Sequence, residues 1–225
     1  MNKNAVVVTN IDFDSIFKYT KPFFEYYCNK TNSDFIIIRE NKYNLKYDAR
    51  YNKVRFSNFQ VLNYFDVYDR IFLIDCDVLI LPSCPNYFDS DPDYIYARLN
   101  GSQESNITRT KESLGDIKQW DKEYFNSGIL LFSKKHKPVF DINESIFEKL
   151  KGTHRVQNLL NWQVKKNNFK IVNFNKRVNI PRHLLAENIN TINSVDMIHY
   201  VGPKQENSRN IKWLKKDYLN LKNKL

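Results

Sequence analysis

Glycine is scarce in this chain, with five residues in 225. None falls in G-x-G-x-x-G or G-x-x-x-x-G-K, so the phosphate cradles of Rossmann dinucleotide sites and P-loops have no sequence counterpart. G-x-S-x-G is also missing, which removes the nucleophile elbow of the serine hydrolases. Cysteine is equally thin. Cys28, Cys76 and Cys84 are an odd number without metal-type spacing, which argues against a disulfide framework or a cysteine-based zinc site and fits reduced thiols. No apolar stretch approaches the roughly 18 residues of a membrane span. The N-terminus, MNKNAVVVTNIDFD, lacks the longer apolar region and small-residue cleavage site of a signal peptide. The expectation from these absences is a soluble, cytoplasmic protein.

What the chain does contain suffices for a core. At 42% hydrophobic and 15% aromatic residues it suits one globular domain over residues 1–225. A formal net charge of +10 calls for an anionic partner or a well-solvated basic surface. Lysines gather in IKWLKKDYLNLKNKL, so residues 205–225 read as a basic C-terminal segment. No arginine-rich arm, zinc finger or aromatic RNA-binding signature accompanies them, and no nucleic-acid partner is expected.

AVVVTN (5–10), DFIIIRE (34–40) and RIFLID (70–75) read as buried strands. TKPFFEYYCN (20–29) reads as a helix with Thr20 as N-cap and Pro22 in its first turn. Residues 50–65 place Val54, Phe59, Leu62 and Phe65 at helical spacing. Further on, 94–98 and 128–133 read as strands, 139–150 and 155–167 as helices, and 170–174 and 195–200 as short strands. Such alternation predicts an α/β fold with a largely parallel, helix-covered sheet. Residues 99–123 lack periodicity and are long for a connection, so they read as an active-site loop or lid, or as a disordered insertion.

Four D-x-D triplets occur, at Asp12/Asp14, Asp75/Asp77, Asp89/Asp91 and Asp91/Asp93. Asp75 and Asp77 end the most apolar strand, and open α/β sheets bind ligands at strand carboxyl ends. Two carboxylates two residues apart can share a divalent ion, and hard oxygen donors select Mg²⁺ or Mn²⁺ over soft metals. Cys76 between them faces the other way on the pleat and reads as core. Asp89, Asp91 and Asp93 lie in a proline-bearing turn, where acids are ordinary turn formers. Asp12 and Asp14 follow a strand, and Asp14 reads as the cap of a helical turn. Two other readings stay open. Phosphatases of the haloacid dehalogenase type also present D-x-D after a strand, although normally the first strand, and a phosphatase or phosphotransferase is one alternative. A basic nucleic-acid- or glycan-binding protein without turnover is the other.

YDRIFLIDCDVLIL, YFNSGILLFSK, QNLLNWQVKKNN and MIHYVGPK follow one another in this order. Together they resemble the nucleotide-sugar glycosyltransferases of the GT-A fold, most of all glycosyltransferase family 8, which includes glycogenin and bacterial galactosyl- and glucosyltransferases. The resemblance implies a GT-A-like single domain: a mixed, mostly parallel central sheet flanked by helices, with a Rossmann-like nucleotide-binding half. It implies a hexosyltransferase that moves sugar from a nucleotide-diphosphate sugar, a UDP-sugar first, to a glycan or other hydroxyl acceptor with retention of configuration. Asp75 and Asp77 match the metal-binding D-x-D and His199 its third ligand, with Mn²⁺ or Mg²⁺ as the ion. Gly202 and Lys204 match the segment that closes on the pyrophosphate. Thr9 and Asn10, with Asp12 nearby, match the nucleoside cradle, and Asn126, Ser127 and Gly128 the block beside the donor sugar. Gln157 matches the second member of an acidic-Gln pair and joins Asp75 and Asp77 as a catalytic candidate, while Val156 stands in place of the acid. Asn58 occupies a position where many relatives carry Lys or Arg, and Arg55, one helical turn earlier, is the candidate substitute.

Overall fold

The computed structural model describes residues 3–43, 56–101, 103–117, 120, 122–150, 154–185, 189–202 and 208–225. Three parallel strands form one half of the central sheet: β1 (Asn4–Thr9), between β2 (Asp34–Ile38) and β3 (Arg70–Asp75). β6 (Phe125–Ser133) pairs antiparallel with β3 and with β5 (Ile95–Leu99), and β7 (Ile171–Asn173) runs parallel to β5. The order is β2-β1-β3-β6-β5-β7, with β6 the one reversed strand of the six. β1, β3 and β5 therefore all end at the same edge. Three short strands, β4 (Val78–Ile80), β9 (Met197–His199) and β8 (Ile180–Pro181), form a second sheet in the order β4-β9-β8.

The central strands are apolar on both faces because both faces are covered. Ala5, Val7, Ile71 and Leu73 pack into one core with Phe59, Val61 and Phe65 of the 3-10 helix Ser57–Asp66. Leu159 and Leu160 of α4 (Arg155–Lys166) complete that side. Val6, Val8, Phe72 and Ile74 face Phe17, Phe24 and Tyr27 of α1 (Asp14–Thr31) and Val78, Ile80 and Met197 of the second sheet. Ile16 and Phe23 of α1 turn to a third cluster with Ile211, Trp213 and Leu214 of α6 (Arg209–Leu221). The other α-helices among the described residues are α2 (Glu104–Leu114), α3 (Ser145–Lys149) and α5 (Ile189–Asn193). No helix among the described residues is long and apolar enough to cross a membrane. Cys28, Cys76 and Cys84 are free thiols and buried.

Four local readings change. Thr20 is not a cap but an interior residue of α1, which begins at Asp14 because Ile16 and Phe17 already extend its apolar face. The Thr20 hydroxyl donates instead to the Cys76 carbonyl at 2.7 Å, tying α1 to the D-x-D turn. Residues 99–123 contain helix α2, whose Ile107 and Thr110 are buried; polar residues elsewhere on it hid its period. The helix read over 139–150 is confined to α3. Of the helix read over 50–65, Val54 lies outside the described residues and the rest is the 3-10 helix.

Candidate functional site

Strand register assembles the site. Thr9 at the end of β1 is aligned with Asp75 at the end of β3. The chain then turns through Cys76 and Asp77 into β4, whose Val78 is aligned with His199 of β9. Ligand atoms of Asp75, Asp77 and His199 thereby come within 4.8 Å of one another, the described group of His, Cys, Asp and Glu side chains able to hold a metal ion. His199 Nε2 lies 3.4 Å from Asp77 Oδ1 and 3.7 Å from Asp75 Oδ2. Asp77 and His199 are buried, whereas the Asp75 side chain is 44% exposed, so the group opens outward through Asp75. Cys76 is buried in the core beneath.

Gly128 sets the clearance. A Cβ there would stand 2.4 Å from His199 Cε1 and 3.0 Å from Asp75 Oδ2, closer than side chains pack. Beside it, Asn126 Oδ1 accepts from Gly128 N–H at 2.8 Å and from Asn179 Nδ2 at 3.0 Å. Asn179 Oδ1 in turn meets His199 Nδ1 at 2.8 Å. Arg98, aligned with Asn126 across β5 and β6, donates to the Asn179 carbonyl, and burial pulls its guanidinium below the usual arginine range. Ser127 N–H donates to Gln157 Oε1 at 3.0 Å, and Gln157 Nε2 donates to the Tyr124 hydroxyl at 3.1 Å. Burial pushes that phenol up to about 12, so it stays protonated and donates to Asn158 Oδ1 at 2.5 Å. Asn161, one turn beyond Gln157, accepts from Phe125 N–H and donates to the Phe125 carbonyl, clamping α4 to the strand that carries the F-N-S-G block.

At the end of β1, the Thr9 hydroxyl donates to Asn58 Oδ1 at 2.6 Å, which explains a buried amide where a cation was expected. Asn10 donates to Asp14 at 2.7 Å, and Arg39 donates to the same carboxylate at 2.6 Å, holding it below the usual range. Asp14 is therefore tied up in pairing, and Asp12 is exposed with a positive φ of 64°. Asp91 receives Asp93 N–H, and Asp93 pairs with Lys135, so those acids shape a turn. Gly202 has φ 124° and faces Asn210 of α6, whose Nδ2 would stand 2.6 Å from a Cβ there. Trp120, Trp162 and Trp213 are buried packing residues. Arg55 and Lys204 lie outside the described residues. Asn179 is the residue that sequence reading passed over. It is one asparagine of many, in RVNIPRH, and no spacing marks it.

Residues 7–205 match the profile of Glycosyl transferase family 8. A comparison with curated proteins finds no match. Among solved structures, the galactosyltransferase LgtC in complex with donor and acceptor sugar analogues aligns with a TM-score of 0.64 at 17% identity, covering 98% of this chain and 96% of that one. A glycosyltransferase involved in the glycosylation of the major capsid of PBCV-1 aligns with a TM-score of 0.62 at 13% identity, covering 95% and 99%. The bifunctional glycosyltransferase WbbM, in its apo form, aligns at 0.58 and 12% identity, covering 96% of this chain and 51% of that one.

Proposed function

This chain belongs to glycosyl transferase family 8 and is a glycosyltransferase; on that premise we propose that it transfers a hexosyl unit from a nucleotide-diphosphate sugar, a UDP-sugar first, to a hydroxyl of a glycan or similar acceptor. Retention of anomeric configuration is part of the proposal. The observation that carries it is the convergence of Asp75, Asp77 and His199 at the carboxyl edge of the sheet. Two carboxylates and an imidazole suit Mn²⁺ or Mg²⁺ better than a soft metal, and Gly128 keeps clear the space beside Asp75 and His199. Such an ion, when bound, stabilises the charge of the departing nucleoside diphosphate without a proton donor.

The chain's own residues bind and orient. Thr9, Asn10 and Asp12 receive the nucleoside at the end of β1. Arg55, Gly202 and Lys204 are assigned to the pyrophosphate, where positive charge in a dry cleft acts strongly. Asn126, Ser127 and Gly128 border the donor sugar. Gln157, held by Ser127 and Tyr124, presents a neutral amide of fixed direction to that sugar, suited to ordering hydroxyls around the reacting carbon. Residues 1–225 act as one domain, with 99–123 beside the active site and 205–225 as a basic segment.

Calorimetric titration with UDP in Mn²⁺ and in EDTA tests this reading. Metal-dependent binding is expected in the wild type and its loss in Asp77→Ala, with an unchanged far-UV spectrum. Equal affinity in Mn²⁺ and EDTA would remove the metal from the reading. A panel of nucleotide sugars, followed by release of the nucleoside diphosphate, then identifies the donor.

A further inference from the structure

We infer that Asn179 is a positioning residue that selects which nitrogen of His199 meets the metal ion. The inference rests on the metal reading above, and it begins from a donor whose direction is beyond dispute. Gly128 N–H is a backbone donor, so the Asn126 atom 2.8 Å from it is the amide oxygen. That oxygen also faces Asn179 at 3.0 Å, so the Asn179 atom there is the NH₂ group. The Asn179 carbonyl oxygen then faces His199, and it accepts a hydrogen bond at 2.8 Å that only a protonated Nδ1 can donate. Nε2 is left as the nitrogen directed at Asp77 and Asp75, 3.4 and 3.7 Å away.

Each step of this relay is a single orientation choice, and each choice is forced by the preceding one. The relay lies largely out of water: Asn179 is 2% exposed and His199 5%. Asn179 also holds φ 57°, a left-handed conformation that asparagine tolerates better than most residues. Arg98 binds its carbonyl, so the loop that carries the amide is tied to β5 as well. An outer partner of this kind fixes the ring's tautomer and angle, and its loss typically costs 10–100-fold in metal affinity.

The test uses variants that respect the backbone. Asn179→Gly keeps the positive φ and the carbonyl that Arg98 binds, and removes the amide; Asn179→Asp keeps an acceptor oxygen toward Nδ1 but turns its second oxygen on the Asn126 Oδ1 that Gly128 N–H holds in place. Mn²⁺ titration by electron paramagnetic resonance is expected to show about 10–100-fold weaker binding in Asn179→Gly and an affinity between that variant and the wild type in Asn179→Asp, which keeps the acceptor toward Nδ1 and loses the donor toward Asn126. Nitrogen-15 NMR of the metal-free wild type, at a pH where the ring is neutral, is expected to show the Nδ1–H tautomer at His199. Wild-type affinity in a folded Asn179→Gly protein, or the Nε2–H tautomer, overturns the inference. The NMR arm decides it even if Asn179→Gly does not fold. Absence of Mn²⁺ binding by the wild type would instead count against the proposed function, while the tautomer would still report on Asn179.

Discussion

At the scale of single residues, Gly128 and His136 make the sharpest predictions. Gly128→Ala would drive a methyl group into His199 Cε1, and the ring cannot retreat without breaking its bond to Asn179. The expected result is a stability loss of about 1–3 kcal/mol from overpacking, together with at least a tenfold loss of Mn²⁺ affinity. Chemical denaturation and metal titration check the two parts separately. His136 binds Ser133, which is aligned with Arg70 at the end of β3 opposite to Asp75. Its ring is fully buried and Nδ1 accepts Ser133 N–H at 3.0 Å, an arrangement that demands the unprotonated nitrogen. Burial, aided by Lys135, lowers its pKa from 6.5 to about 4. A depressed histidine pKa means that the unfolded chain binds the proton first. The stabilisation is therefore complete above pH 6.5 and is lost as pH falls toward 4, by about 3 kcal/mol. Urea midpoints between pH 7 and pH 4 should fall more steeply for the wild type than for His136→Gln.

At the scale of elements, α6 explains what the basic C-terminal segment does in the fold. Ile211, Trp213, Leu214, Asp217 and Leu221 face inward, and Lys212 and Lys216 face out, so the lysines line the wet side of an amphipathic helix. Asp217 is the polar exception on the buried face. It binds Arg182 through both carboxylate oxygens and accepts the Tyr200 hydroxyl at 2.7 Å. Arg182 and Arg209 lie against Trp213, at 5.2 and 4.1 Å from the ring centre. Since Tyr200 follows His199 directly, this buried ion pair anchors the strand that carries the histidine. Asp217→Ala leaves Arg182 charged and buried without its carboxylate, and a loss of about 3–5 kcal/mol is expected. Replacing both partners with apolar residues should recover much of that loss, and urea unfolding of the single and double variants checks it.

At the scale of the whole molecule, the fold places three strand ends and one reversed strand around a single edge, and ligand binding there should be felt globally. On the proposed function, UDP with Mn²⁺ at a hundredfold excess over its dissociation constant is expected to add about 2.7 kcal/mol to the folded state. For a chain of 225 residues that corresponds to a rise in Tm of roughly 5–10 °C, which EDTA should abolish. A thermal melt with and without the metal makes the comparison. Strands β1 and β3 were readable because both of their faces are buried, which leaves the continuous apolar runs AVVV and RIFLI. Helix α2 was not, because only Ile107 and Thr110 of its eleven residues are buried and the remainder leave no apolar period.

The position of Asp75 and Asp77 was determined by local sequence. A D-x-D at the end of the most apolar strand needs only the β period and the chain direction to reach the edge where α/β sheets bind ligands. The order of the blocks around it likewise identified His199, Asn126, Ser127 and Gly128 as companions. Tertiary structure alone decided how those residues are oriented. Asn58 takes up the Thr9 hydroxyl, Asn126 aims Asn179, and Asn179 aims His199, through side-chain hydrogen bonds between residues 20 to 53 positions apart. Amide direction and imidazole tautomer are properties of such non-local contacts, and no periodicity along the chain encodes them.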